Sequence, residues 1–340
     1  MSKITIEAGL LDRAGWILAS DNEPCTVAII SDDRVAGLYL SRLEAALKAG
    51  GFHVLSFVFP RGEASKNAAT YIRILEYLAN NHLTRTDMAA ALGGGVVGDI
   101  AGFAAATYLR GIKLVQIPTT LLACVDSSVG GKTGIDLSAG KNLAGAFHQP
   151  VAVLIDPELL GTLPRDVCRD GMAEVIKYAC IRDGRLWGLL HKKTVPVQEI
   201  IKLCVDIKLS IVEHDAFDRG ERQLLNFGHT FGHAVEQCSG FTLSHGKSVA
   251  IGMAVMARAC CSRGLCSQET LDQLIQMLAQ HGLPTGTSFS AEDLFSVMQS
   301  DKKRAGGSIM LVILRAIGKA ELRKTGMAEA FEFLSEGLRV

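Results

Sequence analysis

Between Gly93 and Asn142 the chain gathers residues suited to an anionic ligand: two glycine-rich turns, the Pro118-Thr119-Thr120 triplet, Lys132 and Lys141. Glycines let a backbone approach a ligand closely, and the N–H groups of a helix start bind phosphate. Gly93, Gly95 and Gly98 fit G-x-G-x-x-G, with the apolar run Met88–Leu92 before them and a helical pattern after them. That order points to a phosphorylated ligand, a dinucleotide above all, with a glycine-rich strand–helix corner as the competing reading. The usual dinucleotide turn has an acid about twenty residues on, at the end of the next strand. Lys113–Pro118 holds none, so this is not the standard arrangement. The second turn ends like a P-loop in Gly131-Lys132-Thr133, but Asp126 occupies the position of its first glycine. Nucleoside-triphosphate chemistry of that kind is excluded, while Lys132 stays a candidate contact for phosphate or hydroxyl.

A second set of reactive types lies in the other half. Six of the nine histidines follow residue 190. His229 and His233 are four apart and share one face of a helix. His245 comes just after Ser244 at an expected helix start, and Glu174 and Lys177 share a face of another helix. Glu and His ligands with an open position suit a catalytic Zn²⁺. Spacing alone leaves open whether His229 or His233 is the ligand, and any one histidine reads as readily as a helix-packing residue. H-E-x-x-H is absent, which excludes a zinc-protease site. Lys208, Arg222 and the run Asp301-Lys302-Lys303-Arg304 are candidates for facing an anionic substrate.

Elements of two textures must position these residues. Apolar, β-branched runs at Thr26–Ser31, Phe52–Phe59, Met88–Leu92, Ile112–Ile117 and Val151–Ile155 alternate with helical patterns over Val35–Ala49, Ala64–Asn80 and Ile100–Tyr108. Repeated βα units predict a mostly parallel sheet covered by helices. After Pro164 helical spacing dominates, over Arg165–Ile181, Val197–His214, Glu221–Gln237, Lys247–Arg263 and Gln268–His281. A hairpin is expected from Ile309–Leu314 and Lys319–Leu322. The expected organisation is an α/β nucleotide-binding domain over 1–163 and a mainly α-helical domain over 164–340 that binds metal and substrate.

Composition sets bounds on partners. The 340 residues carry 35 basic and 35 acidic side chains, so no nucleic-acid or membrane-surface partner is expected. No apolar leader opens the chain and no stretch is long enough to span a bilayer. Nine cysteines with no C-x-x-C pair read as reduced, mostly small core residues of a cytoplasmic protein.

Taken together, Gly93–Asn142, Ala173-Glu174-Val175-Ile176-Lys177-Tyr178, Asn226–His233, His245-Gly246 and Asp301-Lys302-Lys303 resemble the 3-dehydroquinate synthase family, in its order and over nearly the whole chain. The resemblance implies conversion of 3-deoxy-D-arabino-heptulosonate 7-phosphate (DAHP) to 3-dehydroquinate and phosphate, in the shikimate pathway to aromatic amino acids. It implies a cytoplasmic homodimer, a lyase that uses NAD⁺ and Zn²⁺ or Co²⁺. The family oxidises its substrate transiently, eliminates phosphate, returns the hydride, and closes the ring by an intramolecular aldol step. Carried over by motif, the metal ligands are Glu174, His229 and His245, with His233 a hydrogen-bonding or proton-transfer group. NAD contacts are Asp32, Glu63, Lys66, Gly94, Gly95, Val96, Asp99, Thr119, Thr120, Asp126, Lys141 and Thr162. Substrate contacts are Lys132, Asn142, Lys177, Lys208, Arg222, Asn226 and Lys302 or Lys303, in a cleft between the domains. Two departures stand out: Lys247 replaces the family's usual acid after His245-Gly246, and Asp136 stands where many relatives have Asn.

Sister cyclases that make 2-deoxy-scyllo-inosose or 2-epi-5-epi-valiolone run the same redox cycle on substrates lacking the DAHP carboxylate. Arg222, Asn226, His233 and Lys208 argue for the dehydroquinate reading over these. A net oxidoreductase would accumulate NADH. A non-enzymatic NAD-binding regulator would have little physical reason to keep cations beside a Glu/His₂ set.

Overall fold

The computed structural model describes residues 2–192, 195–215, 220–302 and 307–339. The chain divides into two compact units, Met1–Pro164 and Arg165–Val340.

The first unit is built on six parallel strands: β1 (Lys3–Ile6), β2 (Thr26–Asp32), β3 (His53–Phe59), β4 (Met88–Gly93), β5 (Lys113–Pro118) and β8 (Ala152–Ile155). Their order is β1-β8-β5-β4-β2-β3. Strand alternation divides β2 between two cores. Val27 and Ile29 pack on one face with Met88, Leu92 and Leu154, and Ala28 and Ile30 on the other with Ile74, Ile100 and Leu114. Both faces are therefore covered, as a parallel sheet requires. The chain winds outward from β2 to β3, then returns to lay β4 on the other side of β2. The switch point thus falls between β2 and β4, where doubly wound sheets bind ligands at the carboxyl ends of their strands.

Three elements differ from the sequence expectation. The helix after β4 spans Gly95–Thr107 rather than opening at Ile100. The short β1 pairs with β8. The second glycine-rich turn leads into an antiparallel hairpin, β6 (Lys132–Leu137) and β7 (Gly140–Phe147). A Cβ on Gly145 would stand 2.1 Å from the Thr133 carbonyl oxygen, so this glycine serves backbone approach between the strands.

Among its described residues the second unit is helical apart from the hairpin of β9 (Ser308–Ala316) and β10 (Lys319–Gly326). Its buried centre is the helix His245–Ser262, which packs on Arg165–Ile181, His229–Cys238 and Met327–Leu338. The expected single helix Glu221–Gln237 is broken: a 3-10 turn covers Glu221–Asn226 and the α-helix begins at His229. Gly228 makes the break, in the left-handed region at φ 80°. Backbones of the two helices meet closely, since a Cβ on Gly252 would lie 1.9 Å from the Gly228 carbonyl oxygen. No helix among the described residues is long and apolar enough to cross a membrane, and all nine cysteines are free thiols.

Candidate active site

In the first unit the glycine turn opens the Gly95–Thr107 helix directly at the end of β4, with Gly94 extended as its N-cap. Its unsatisfied N–H groups suit phosphate. Both readings of the three glycines hold at once. A Cβ on Gly98 would stand 2.9 Å from Gln116 Oε1, so that glycine is needed for packing, while Gly94 and Gly95 sit at the helix mouth. Upstream, Asp32 is a candidate for the acid missing downstream, standing at the end of β2, the strand beside β4. Its carboxylate accepts from the N–H groups of Arg34 and Val35. Thr119 follows β5, its N–H donating to the Gly93 carbonyl, and its Oγ1 is buried without a hydrogen-bond partner.

Lys66 ties several further positions together. Its buried Nζ donates to Asp99 Oδ2 and Asn142 Oδ1, each at 2.5 Å. The Asn142 N–H donates to Asp136 Oδ1 at 2.8 Å, which gives Asp136 a definite role in the hairpin. Lys141 pairs with Glu63 at 3.6 Å. Thr162 shares a short hydrogen bond with the Tyr39 hydroxyl. Val96, Thr120 and Asp126 are half-buried, and Lys132 is exposed on β6.

In the second unit Glu174 is fully buried, and one of its oxygens gathers both candidate histidine ligands. His229 Nε2 lies 3.4 Å and His245 Nε2 3.2 Å from Glu174 Oε1. Its other oxygen pairs with the buried Lys177. His229 Nδ1 is 3.2 Å from the Phe227 carbonyl oxygen. With Nδ1 donating there, Nε2 is the ring atom a bound metal would take, the tautomer a metal ligand needs. His245 Nδ1 lies 3.8 Å from Glu236 Oε2. The His233 ring stands 5.3 Å from that of His229 and 5.9 Å from that of His245, exposed to solvent.

Charge follows from this geometry. Burial acts to raise the Glu174 pKa, but the Lys177 ammonium and the imidazoles outweigh it and hold the carboxyl well below the usual range. Desolvation acts to lower the His245 pKa, but its bonds to Glu174 and Glu236 dominate and push it up to about 10. Without metal, an imidazolium at His245 takes the place of the cation. Besides Lys177, Lys208 and Arg222 are almost wholly buried, and buried cations need acceptors facing them. Asn226 is exposed at the end of its 3-10 turn. Lys302 closes the helix Ala291–Lys302, and Lys303 lies outside the described residues.

Two residues were missed by sequence reasoning, and both had a signal. Glu236 is three residues after His233, on the same helix face, and forms a second potential metal-ligand group with His233 and His245. Asp170 is four before Glu174 on its helix and bonds to Ser244 at the start of the helix that carries His245.

A doubly wound sheet with a glycine turn beside its switch point, followed by a helical unit holding a Glu/His/His donor set, defines the class: a two-unit enzyme architecture shared with the sugar phosphate cyclases. A 2-epi-5-epi-valiolone synthase from Streptomyces hygroscopicus subsp. jinggangensis, solved with NAD⁺ and Zn²⁺, matches with a TM-score of 0.88 and 27% identity, over 99% of this chain and 97% of that one. A 2-deoxy-scyllo-inosose synthase, solved with carbaglucose-6-phosphate, NAD⁺ and Co²⁺, shares the fold at a TM-score of 0.86 and 23% identity, over 98% and 96%. Family models for the 3-dehydroquinate synthase N-terminal and C-terminal regions match residues 56–170 and 171–304. The 3-dehydroquinate synthase of Streptococcus thermophilus is 44% identical, over 98% of this chain and 96% of that protein. The chain belongs to the 3-dehydroquinate synthase family.

Proposed function

We propose that the chain converts DAHP to 3-dehydroquinate and inorganic phosphate, acting as a phosphorus–oxygen lyase that regenerates its NAD⁺ in every turnover. The observation that carries the reading is the convergence of His229 Nε2 and His245 Nε2 on Glu174 Oε1. One carboxylate and two imidazoles with a position left open fit Zn²⁺ or Co²⁺. In the first unit, the unpartnered Thr119 hydroxyl and the helix mouth at Gly94 fit a dinucleotide. When bound, NAD⁺ supplies a reversible hydride acceptor and the metal a Lewis acid that makes a substrate hydroxyl more acidic.

The chain's own residues do the rest. Glu174, His229 and His245 hold the metal, and Lys177 stabilises the carboxylate in its buried setting. Asp32, the Gly94–Val96 turn, Thr119, Thr120, Asp126 and Thr162 line the dinucleotide's place, with Glu63, Lys66, Asp99 and Lys141 beside it. Arg222 presents a planar fork suited to a carboxylate or phosphate, and Lys132, Lys208 and one of Lys302 or Lys303 add point charges. Asn142 and Asn226 offer amides to hydroxyls, and His233 hydrogen-bonds the substrate or moves its proton. The leaving phosphate can accept the proton abstracted beside the new carbonyl. Many fixed contacts are needed because one substrate is held through several steps. A cytoplasmic homodimer is part of the same reading and is supported by the family resemblance alone.

The deciding experiment follows phosphate release from DAHP by metal-loaded protein with NAD⁺, while absorbance at the nicotinamide band is recorded. Phosphate release without net NADH, abolished by chelation, is expected. Release from glucose 6-phosphate or sedoheptulose 7-phosphate, but not from DAHP, would move the chain to a sister activity.

A further inference from the structure

We propose that Asp170 is the positioning residue that aims His245 at the metal, by capping from outside the helix on which His245 sits. This rests on the metal reading of Glu174, His229 and His245. His245 is the first residue of the helix His245–Ser262, and Ser244 is its extended N-cap. A helix start leaves N–H groups without intrahelical partners, and an N-cap side chain normally accepts from one of them. Ser244 does not: no side-chain cap bond is made within the helix, and its hydroxyl donates instead to Asp170 Oδ1 at 2.5 Å. The same oxygen accepts from the Lys247 N–H at 3.2 Å. The reciprocal capping box needs Glu or Gln three residues after the cap, and this chain has Lys247 there. One carboxylate from another helix therefore does the work of the box.

The approach is tight. A Cβ on Gly246 would lie 2.2 Å from the Asp170 carbonyl oxygen, so the first turn rests directly on the Asp170 backbone. Asp170 stands one helical turn before Glu174 in Arg165–Ile181. The contact thus fastens the turn bearing His245 to the helix bearing Glu174, and sets the 3.2 Å approach of His245 Nε2 to Glu174 Oε1. Its negative charge also complements the positive end of the helix. Lost, the first turn frays and His245 loses its direction, while no ligand atom is removed.

The test titrates metal-free, full-length protein with Co²⁺ and reads its visible absorption. Wild type, Asp170→Ala, Asp170→Asn and the double variant Asp170→Ala/Lys247→Glu are compared, with thermal unfolding of each. Asp170→Ala is expected to weaken Co²⁺ binding by about 10- to 100-fold, the usual effect of removing a group that orients a ligand, and to alter the absorption band. Asp170→Asn keeps an acceptor oxygen and is expected to stay near wild type. Lys247→Glu rebuilds Ser-x-x-Glu and is expected to restore binding in the Ala background. Wild-type affinity in Asp170→Ala overturns the inference, as does a loss that neither Asn nor Lys247→Glu relieves. Absence of Co²⁺ binding in wild type would instead overturn the metal reading beneath it.

Discussion

The ion pair of Glu174 with Lys177 is 0% and 1% exposed, so both charges are withdrawn from water. Removing one partner of a buried pair typically costs about 3–5 kcal/mol. Glu174→Gln is therefore expected to lower stability by roughly that amount in denaturant melts, and to abolish both metal binding and turnover. Retention of wild-type metal affinity would remove Glu174 from the ligand set. Thr119 makes the opposite prediction. Its buried, unpartnered hydroxyl gives the metal- and NAD-free protein nothing. Thr119→Val is expected to leave stability unchanged or improve it, while NAD⁺ binds about tenfold more weakly because one hydrogen bond is lost. An unaltered NAD⁺ affinity by calorimetry would take Thr119 out of the nucleotide site. At this scale the sequence is legible as residue types: Glu174, Lys177, the histidines and both glycine turns stand out by type and spacing alone. The roles of Glu236 and Asp170 do not, because a carboxylate on a helix face is ordinarily solvated and only a neighbouring helix changes that.

Helix contacts decide whether these side chains meet. The His229–Cys238 and His245–Ser262 helices cross with backbone contact at Gly228, Gly232 and Gly252. Gly252→Ala would place a methyl 1.9 Å from the Gly228 carbonyl oxygen and 2.6 Å from the Gly232 nitrogen, both backbone atoms unable to step aside. The helices must separate, with an expected loss of about 2–3 kcal/mol and a weaker metal site, both measurable on the same protein. A Gly252→Ala variant with wild-type melting and metal affinity would show that the crossing is looser than drawn. The parallel strands and most helices could be read from periodicity, since each buries its own apolar face. Two features could not. Glycine-rich Lys132–Phe147 reads as loop by propensity, yet the close strand approach at Gly145 makes it a hairpin. Glu221–Gln237 carries unbroken helical spacing, yet the left-handed Gly228 divides it.

Proton and metal compete for the same atoms in the whole protein. With its pKa raised to about 10, His245 is protonated in the metal-free state at neutral pH. A metal needs the neutral ring, so binding releases this proton, and affinity is expected to fall about tenfold for each pH unit below the His245 pKa from this group alone. The sign for stability is reversed. The folded pKa lies above the ordinary 6.5, so the contribution of His245 to the metal-free protein is complete below about pH 6.5 and disappears as pH rises toward 10. Calorimetry in buffers of different ionisation enthalpy would count the protons, and none released at pH 7 would refute protonated His245. Adding Zn²⁺ at about a hundred times its dissociation constant should stabilise the protein by about 2.7 kcal/mol, since only the folded chain brings the ligands together.

Taken by itself, the sequence determined the chemistry available, the alternation of strands and helices in the first unit, the helical second unit, and the family, because local periodicity and motif spacing are written along the chain. The tertiary structure decided what is remote along it. Glu174 and His245 are 71 residues apart and meet at 3.2 Å. Both His229 and His233 lie on the face that helical spacing predicts, and only the packing of three helices brings His229 against Glu174. Asp32, at the end of β2, ends the strand beside β4, because strand order and not chain order sets what lies next to the glycine turn. Contacts of this kind depend on which faces bury one another, a property of the assembled helices and sheet that no window of the sequence contains.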